Sequence, residues 1–162
     1  MAISQAMTAK LNEQITNEFF ASQLYLSMAC KFDLMSLKQL AKVFRKQTEE
    51  ERRHALKIRD YLVDVGSKIT LQALPQPTHE WPTVVAAIEA TVEHEKKVTR
   101  QINDLVALAE QEKDFATRSF LQWFVDEQVE EVASMSYLCD VAKMAGDRLL
   151  HLEAAVSHLA KD

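Results

Sequence analysis

Four long stretches of the chain carry apolar residues at every third or fourth position, which is the spacing of one face of an α-helix. The pattern predicts long helices over residues 4–33, 36–65, 82–112 and 115–145, and a short fifth helix over 147–161. In the first stretch the inward side is formed by Leu11, Ile15, Phe19, Ser22, Tyr25 and Ala29. A helix of about 28 residues is about 42 Å long, so the four long helices would be of similar length.

The polar residues between these stretches predict where the helices begin and end. Ser36 with Gln39 has the spacing of a capping box, and Gly66 is placed to end the second helix. Pro82 fits the first position of the third helix, where its missing N–H costs no hydrogen bond. Asp114 and Asp147 are predicted to cap the fourth and fifth helices.

The lengths of the connections predict how the helices are arranged. Short turns near residues 34–35 and 113 join antiparallel neighbours, whereas the connection over 67–81 is long enough to run the length of a bundle. The predicted fold is therefore all-α, a four-helix bundle over 4–145 with one long crossover, plus a fifth helix outside it. No boundary divides the chain, so residues 1–162 are expected to form a single domain.

Composition and charge exclude several classes of protein. The 162 residues include only 2 Gly and 3 Pro, too few for the turns of a β-sandwich or a doubly wound sheet. The net charge of −5, without a block of Lys or Arg, does not favour nucleic acid as a partner. The N-terminus lacks a signal peptide, no apolar run is long enough for a membrane span, and the two cysteines make no disulfide framework. The predicted location is the cytoplasm.

Polar side chains interrupt the apolar stripe near the middle of every long helix. They are Glu18, Glu51, His54, Glu95, Gln128 and Glu131. A single glutamate at such a position is commonly a solvated edge residue, but four helices share the feature at matching depth. Buried carboxylates cost several kcal/mol each unless they are neutralised or paired, and no Lys or Arg occupies these stripe positions. The pattern therefore predicts a bound multivalent cation.

The spacing of these residues narrows the identity of the cation. Glu51 and His54 are one helical turn apart, as are Gln128 and Glu131, so each pair can face one ion. Oxygen-rich ligation with one imidazole favours iron or manganese. Tyr25 lies on the same face as Glu18, where it could donate to a ligand carboxylate or serve as plain core packing.

Three further glutamates adjoin the predicted ligands on a neighbouring face. They are Glu50, Glu127 and Glu130. An ordinary charged surface accounts for them, and a further cation site is the alternative. The other histidines have no second ligand at helical spacing, and Trp123 is interpreted as a core residue.

Across essentially its whole length the chain resembles non-haem ferritins of the bacterial and archaeal type. The resemblance rests on the runs Leu11–Ile15, Gln47–Ala55 and Phe120–Glu131, together with Trp81 and Glu95. It implies that the all-α fold is a ferritin-like four-helix bundle, and that the bundle contains a di-iron ferroxidase centre in which Glu18, Glu51 and His54 bind one iron. Glu51 would bridge to a second iron held with Glu95 and Glu131, with Gln128 close by, and Tyr25 matches the family tyrosine beside the centre. Glu50, Glu127 and Glu130 match a third iron site.

The resemblance also implies the function. The expected protein is an iron-storage ferroxidase that uses O2 or H2O2 and assembles as a homo-oligomeric shell of 24 subunits, with the fifth helix near the four-fold axes. Bacterioferritins carry a haem-ligating Met directly after the bridging Glu, but Arg52 occupies that position here, so no haem is expected. A rubrerythrin-like peroxidase or another di-metal carboxylate oxidase is the alternative, although the rubredoxin-type cysteine pairs are absent. A purely structural bundle would have an apolar middle.

Overall fold

The computed structural model describes residues 3–160, which form five α-helices. The helices are α1 (Gln5–Leu34), α2 (Lys38–Asp64), α3 (Val84–Gln111), α4 (Phe115–Ala145) and α5 (Leu149–Val156). The all-α prediction is confirmed, and the described residues contain no strand. The predicted end of the fifth helix at residue 161 lies outside the described residues; within them α5 is shorter, and turns follow it to residue 160. No helix within 3–160 is long and apolar enough to cross a membrane.

The four long helices form two antiparallel pairs, α1 with α2 and α3 with α4, and the long connection between α2 and α3 runs along α1. Near the start of α1, Asn12 donates to the carbonyl of Lys68 and accepts from the N–H of Thr70. Near the end of α1, Lys31 pairs with Glu80 at 2.9 Å. The connection therefore returns the chain to the end of the bundle where α2 began, as its length predicts.

Two predicted helix ends are confirmed. The Asp114 side chain caps α4 by accepting from the N–H of Thr117 at 3.0 Å. Gly66 follows the C-cap of α2 with φ 71°, a left-handed conformation that glycine adopts without the steric cost that a Cβ imposes.

Three predicted helix starts are wrong. Ser36 has φ 64° and precedes the N-cap residue Leu37, so its side chain does not cap α2. The N-cap of α3 is Thr83, which places Pro82 before the helix rather than at its first position. The N-cap of α5 is Arg148, and Asp147 does not cap it.

The N-terminus of α2 is capped from a distance instead. Both carboxylate oxygens of Glu153 on α5 accept from this terminus, one from the N–H of Gln39 and one from that of Leu40, each at 2.9 Å. A negative charge at the positive end of a helix is favourable, so the same contact holds α5 against the bundle.

The apolar core is divided into two clusters along the bundle. One cluster includes Met28, Phe32, Phe44, Ile88 and Leu138. The other includes Leu11, Ile15, Ile58, Ile102 and Phe124. On every long helix the polar residues predicted to face the core lie between these two clusters, so the bundle holds a polar layer with apolar packing above and below it.

Candidate metal centre

All six residues predicted to interrupt the apolar stripes are buried. Their exposed fractions are 1% for Glu18, 2% for Glu51, 5% for His54, 1% for Glu95, 4% for Gln128 and 5% for Glu131. Helical periodicity alone therefore identified the polar layer correctly. Burial at this depth removes water as the partner of the carboxylates, so their partners have to come from the protein or from a bound ion.

Glu18, Glu51 and His54 come together as one potential metal-binding group. Each offers a ligand atom, and these atoms all lie within 4.8 Å of one another. The His54 Nδ1 atom lies 3.3 Å from Oε2 of Glu51 and 4.0 Å from Oε2 of Glu18. Oε2 of Glu18 and Oε1 of Glu51 are buried without a hydrogen-bond partner. Two carboxylate oxygens left without a donor in a dry interior are suited to a cation.

His54, Glu127 and Glu131 form a second such group by the same distance criterion. The Nε2 atom of His54 lies 3.7 Å from Oε1 of Glu127. The two imidazole nitrogens therefore face different carboxylates, Nδ1 toward α1 and α2 and Nε2 toward α4. Oε2 of Glu131 also accepts a hydrogen bond from Nε2 of Gln47 at 2.8 Å.

Glu95 is held by donors from two other helices. The Tyr25 hydroxyl donates to Oε1 of Glu95. Nε2 of Gln128 lies 3.2 Å from Oε2 of the same carboxylate and 3.2 Å from the backbone carbonyl of Glu95. Gln128 thus acts as a hydrogen-bond donor to a neighbouring carboxylate here, and Tyr25 takes the donor role that the sequence left open.

Glu50, Glu127 and Glu130 lie along one cavity of about 470 Å³ between α2 and α4, and Glu131 also lines it. Their environments differ. Glu127 joins the group with His54 and Glu131, whereas Glu50 is partly buried with Arg53 3.7 Å away, and Glu130 is exposed. A third cation site at these residues stays a prediction.

The electrostatics of the polar layer disfavour charge in the absence of a cation. Burial, followed by the charge of Glu51, raises the pKa of Glu18 well above its ordinary value. Burial, followed by the charge of Glu95, raises the pKa of Glu51 strongly and that of Glu131 to about 8. Burial also raises the pKa of Glu95, while the hydrogen bonds from Tyr25 and Gln128 lower it. Carboxyl groups of the layer therefore stay protonated near neutral pH, and a bound cation would displace these protons.

The sequence interpretation assigned no role to two residues at this layer and misplaced a third. Gln14 and Gln47 are buried and donate to Glu18 and Glu131. The four-residue spacing from Gln14 to Glu18 is a signal that could have identified the first of them. Trp123 is 39% exposed rather than a core residue; its ring lies 5.5 Å from that of His54, with the Lys57 ammonium 4.5 Å from its centre.

Comparisons of the chain with known proteins identify the same family. The ferritin-like domain family matches residues 8–145. The chain is 38% identical over 156 residues to ferritin BfrB of Mycolicibacterium smegmatis, covering 96% of this chain and 86% of that protein. It is 37% identical over 145 residues to a bacterial non-heme ferritin of Staphylococcus epidermidis, covering 90% of this chain and 87% of that protein.

A solved structure agrees with these relatives. An open pore ferritin from the hyperthermophilic archaeon Archaeoglobus fulgidus superposes with a TM-score of 0.96 at 41% identity, covering 99% of both chains. The chain folds as a four-helix bundle with a layer of carboxylates at its middle, and these relatives match it over nearly its whole length. The chain therefore belongs to the ferritin family, in its bacterial and archaeal non-haem branch.

Proposed function

We propose that this protein stores iron by oxidising Fe(II) at the buried carboxylate layer and keeping the ferric product inside a shell of its own copies. Iron storage is the function of the family to which the chain belongs. The observation that carries the oxidation step is the pair of unpartnered, buried oxygens on Glu18 and Glu51 beside Nδ1 of His54. Iron is the substrate of this reaction, and hard oxygen ligands with one imidazole suit it.

Two ferrous ions would bind in adjacent positions. Glu18, Glu51 and His54 would hold the first, since their ligand atoms already lie within 4.8 Å of one another. Glu51 would bridge to the second, held with Glu95 and Glu131; the three lie close enough together for the charge of Glu95 to raise the pKa of both Glu51 and Glu131. Tyr25 and Gln128 keep Glu95 oriented by hydrogen bonds. Fixed donors of this kind hold ligands in place and raise metal affinity.

The electrons and protons of the reaction balance without another cofactor. Each of two ferrous ions gives up one electron, and O2 takes both electrons with two protons to become H2O2. With H2O2 as the oxidant, the same two electrons and two protons give two waters. Binding of the cations displaces protons from carboxyl groups whose pKa is raised, including Glu131 at about 8. Because these groups have released their protons before the oxidant reacts, the two protons that O2 or H2O2 takes up come from solvent water.

The cavity beside the layer supplies a route for the product. It is lined by Glu50, Glu127, Glu130 and Glu131, and we place a third iron site there. These four carboxylates outnumber the one basic residue of the lining, Lys46, so the cavity would attract a ferric ion as it leaves the centre. The assembly is proposed to be a shell of 24 subunits in the cytoplasm. No haem is proposed, because Arg52 follows Glu51.

The experiment that tests this function is aerobic addition of Fe(II) to the purified protein, with the oxidation followed by absorbance. Glu51→Ala and His54→Ala are expected to abolish rapid oxidation, since each removes a ligand of the first ion. Glu49→Ala is the matched control, because Glu49 is an exposed glutamate on the same helix. All variants should elute at the volume of the wild-type assembly. Unchanged initial rates in both ligand variants would refute the site.

A second measurement separates storage from a rubrerythrin-like peroxidase. After complete oxidation, the protein is passed over a size-exclusion column and the iron content per subunit is measured. A storage protein elutes with many irons per subunit and at a size of hundreds of kilodaltons. A small oxidase elutes with no more iron than its binding sites hold, which would contradict storage.

A further inference from the structure

A buried glutamine outside the proposed ligand set contacts the metal centre directly. Gln14 lies on α1, one helical turn before Glu18, and its exposed fraction is only 2%. Its Nε2 donates to Oε1 of Glu18 at 2.7 Å. The bond joins two side chains of one helix at positions i and i+4, which always share a face, so it forms with little conformational cost.

The other end of the Gln14 amide contacts a second amide. Nδ2 of Asn17 lies 3.3 Å from Oε1 of Gln14. An ionised carboxylate accepts hydrogen bonds and cannot donate one, so the NH2 group is the end of Gln14 that suits Glu18. The donation from Asn17 to the Gln14 carbonyl favours the same orientation of the amide. The three residues form one chain of donors from the half-buried Asn17, through Gln14, to the carboxylate.

The contact with Gln14 gives the two carboxylate oxygens of Glu18 different surroundings. Oε1 is held by Gln14, whereas Oε2 is buried without a partner and lies 4.0 Å from Nδ1 of His54. Burial is the largest effect on the pKa of Glu18 and raises it, while the hydrogen bond from Gln14 acts in the opposite direction. A neutral donor thus favours the ionised carboxylate that a cation requires, without adding a competing charge.

We propose that Gln14 is a positioning residue of the metal centre, which holds Glu18 by Oε1 so that Oε2 alone is presented to the cation beside His54. The inference rests on the proposed metal centre and adds a residue that orients one of its ligands. Asn17 has a supporting role, because it fixes the orientation of the Gln14 amide.

The test is titration of the iron-free protein with Co(II), a stand-in for Fe(II) that O2 does not readily oxidise at these ligands and whose visible absorption reports on coordination. Gln14→Met keeps nearly the same size and removes the donor. It is expected to weaken binding of the first Co(II) by about 10- to 100-fold, the usual effect of losing a hydrogen-bond partner of a metal ligand, and to change the absorption spectrum.

Gln101→Met is the matched control. Gln101 lines the same small pocket between α1 and α3 as Gln14 and Asn17, and its Oε1 has no partner. Its replacement should leave Co(II) affinity and spectrum at wild-type values. Asn17→Ala should weaken the first Co(II) by a smaller factor than Gln14→Met, because the Gln14 amide is then free to rotate.

The outcomes separate this inference from the proposed function. If wild type binds Co(II) and Glu51→Ala abolishes that binding, the centre exists. In that case, a Gln14→Met variant with the Co(II) affinity and absorption spectrum of wild type refutes the positioning role, and Gln14 is then only a packing residue. If Gln14→Met does not fold, as judged by circular dichroism and elution volume, Asn17→Ala decides, and wild-type Co(II) behaviour in that variant refutes the inference. If wild type binds no Co(II) at Glu51, the proposed centre itself is refuted.

Discussion

Gln47 on α2 donates its side-chain N–H to Oε2 of Glu131 on α4 at 2.8 Å, and both side chains are buried. Because α2 packs against α1 and α4 against α3, this bond crosses between the two antiparallel pairs at the depth of the carboxylate layer. It holds Glu131 in place in the absence of iron. It does not overcome the cost of burial, which raises the pKa of Glu131 to about 8.

The raised pKa values predict that the iron-free protein loses stability as the pH rises. The folded carboxyl groups hold protons at a pH where the unfolded chain, with an ordinary Glu pKa near 4.3, has released them. The folded state then binds more protons, so the free energy of unfolding falls between about pH 4.5 and 8, by on the order of 1 kcal/mol per pH unit for each titrating group. Urea denaturation at about pH 5, 6.5 and 8, evenly spaced points in that window, measures the change in the free energy of unfolding.

Glu131→Gln tests whether Glu131 contributes to this dependence of the free energy of unfolding on pH. The amide carries no charge when buried, so the variant should be more stable than wild type at the alkaline end and lose part of the pH dependence. Glu130→Gln is the control, since Glu130 is exposed. A slope in Glu131→Gln equal to that of wild type would show that Glu131 does not titrate in this window.

Tyr25→Phe should remove one of the hydrogen bonds that position the Glu95 carboxylate. The variant removes a buried hydroxyl donor whose hydrogen bond lowers the pKa of Glu95 against the effect of burial. Glu95 should then keep its proton to higher pH, so that the pH midpoint for Co(II) binding moves upward. Loss of a hydrogen bond to a charged group costs roughly 1.5–3 kcal/mol where that group is ionised.

Tyr137→Phe is the control for this experiment, because Tyr137 is exposed and its ring packs against His158 rather than against Glu95. It should leave both the pH midpoint and the free energy of unfolding at wild-type values. A Co(II) midpoint that is the same in Tyr25→Phe and wild type would mean that the hydroxyl does not control the protonation of Glu95.

Glu127→Ala tests the third iron site. Glu127 is the member of the neighbouring glutamate set that groups with His54 and Glu131, so its removal should lower the number of tightly bound Co(II) ions per subunit by one. Glu130→Ala should have a weaker effect, because that side chain is exposed. Calorimetric titration counts the ions, and an unchanged count in both variants argues against a third site.

Glu153→Ala should loosen α5 and fray the start of α2. The variant removes the only side-chain cap that the described residues give to the N–H groups of Gln39 and Leu40, at a cost of about 1 kcal/mol. Hydrogen exchange at these two amides should accelerate. Asp147→Ala is the control, since Asp147 is exposed and does not cap α5. Equal protection of the two amides in both variants would contradict the cap.

The sequence by itself determined the helices, the order in which they follow one another and the polar layer. These features depend on spacing within one helix, and a period near 3.6 residues places Glu18, Glu51, Glu95 and Glu131 on the inward faces whatever the neighbouring helices are. The scarcity of Gly and Pro had the same local meaning, because nothing interrupts a helix between residues 5 and 34 or between 115 and 145.

The tertiary structure decided the contacts that join one helix to another. Ser36 has a capping-box partner in the sequence, yet Glu153, far along the chain, caps α2. The donation from Tyr25 to Glu95 and the exposure of Trp123 also depend on how the helices are rotated against each other. That rotation is set by the packing of the two apolar clusters as a whole, and no spacing within a single helix records it.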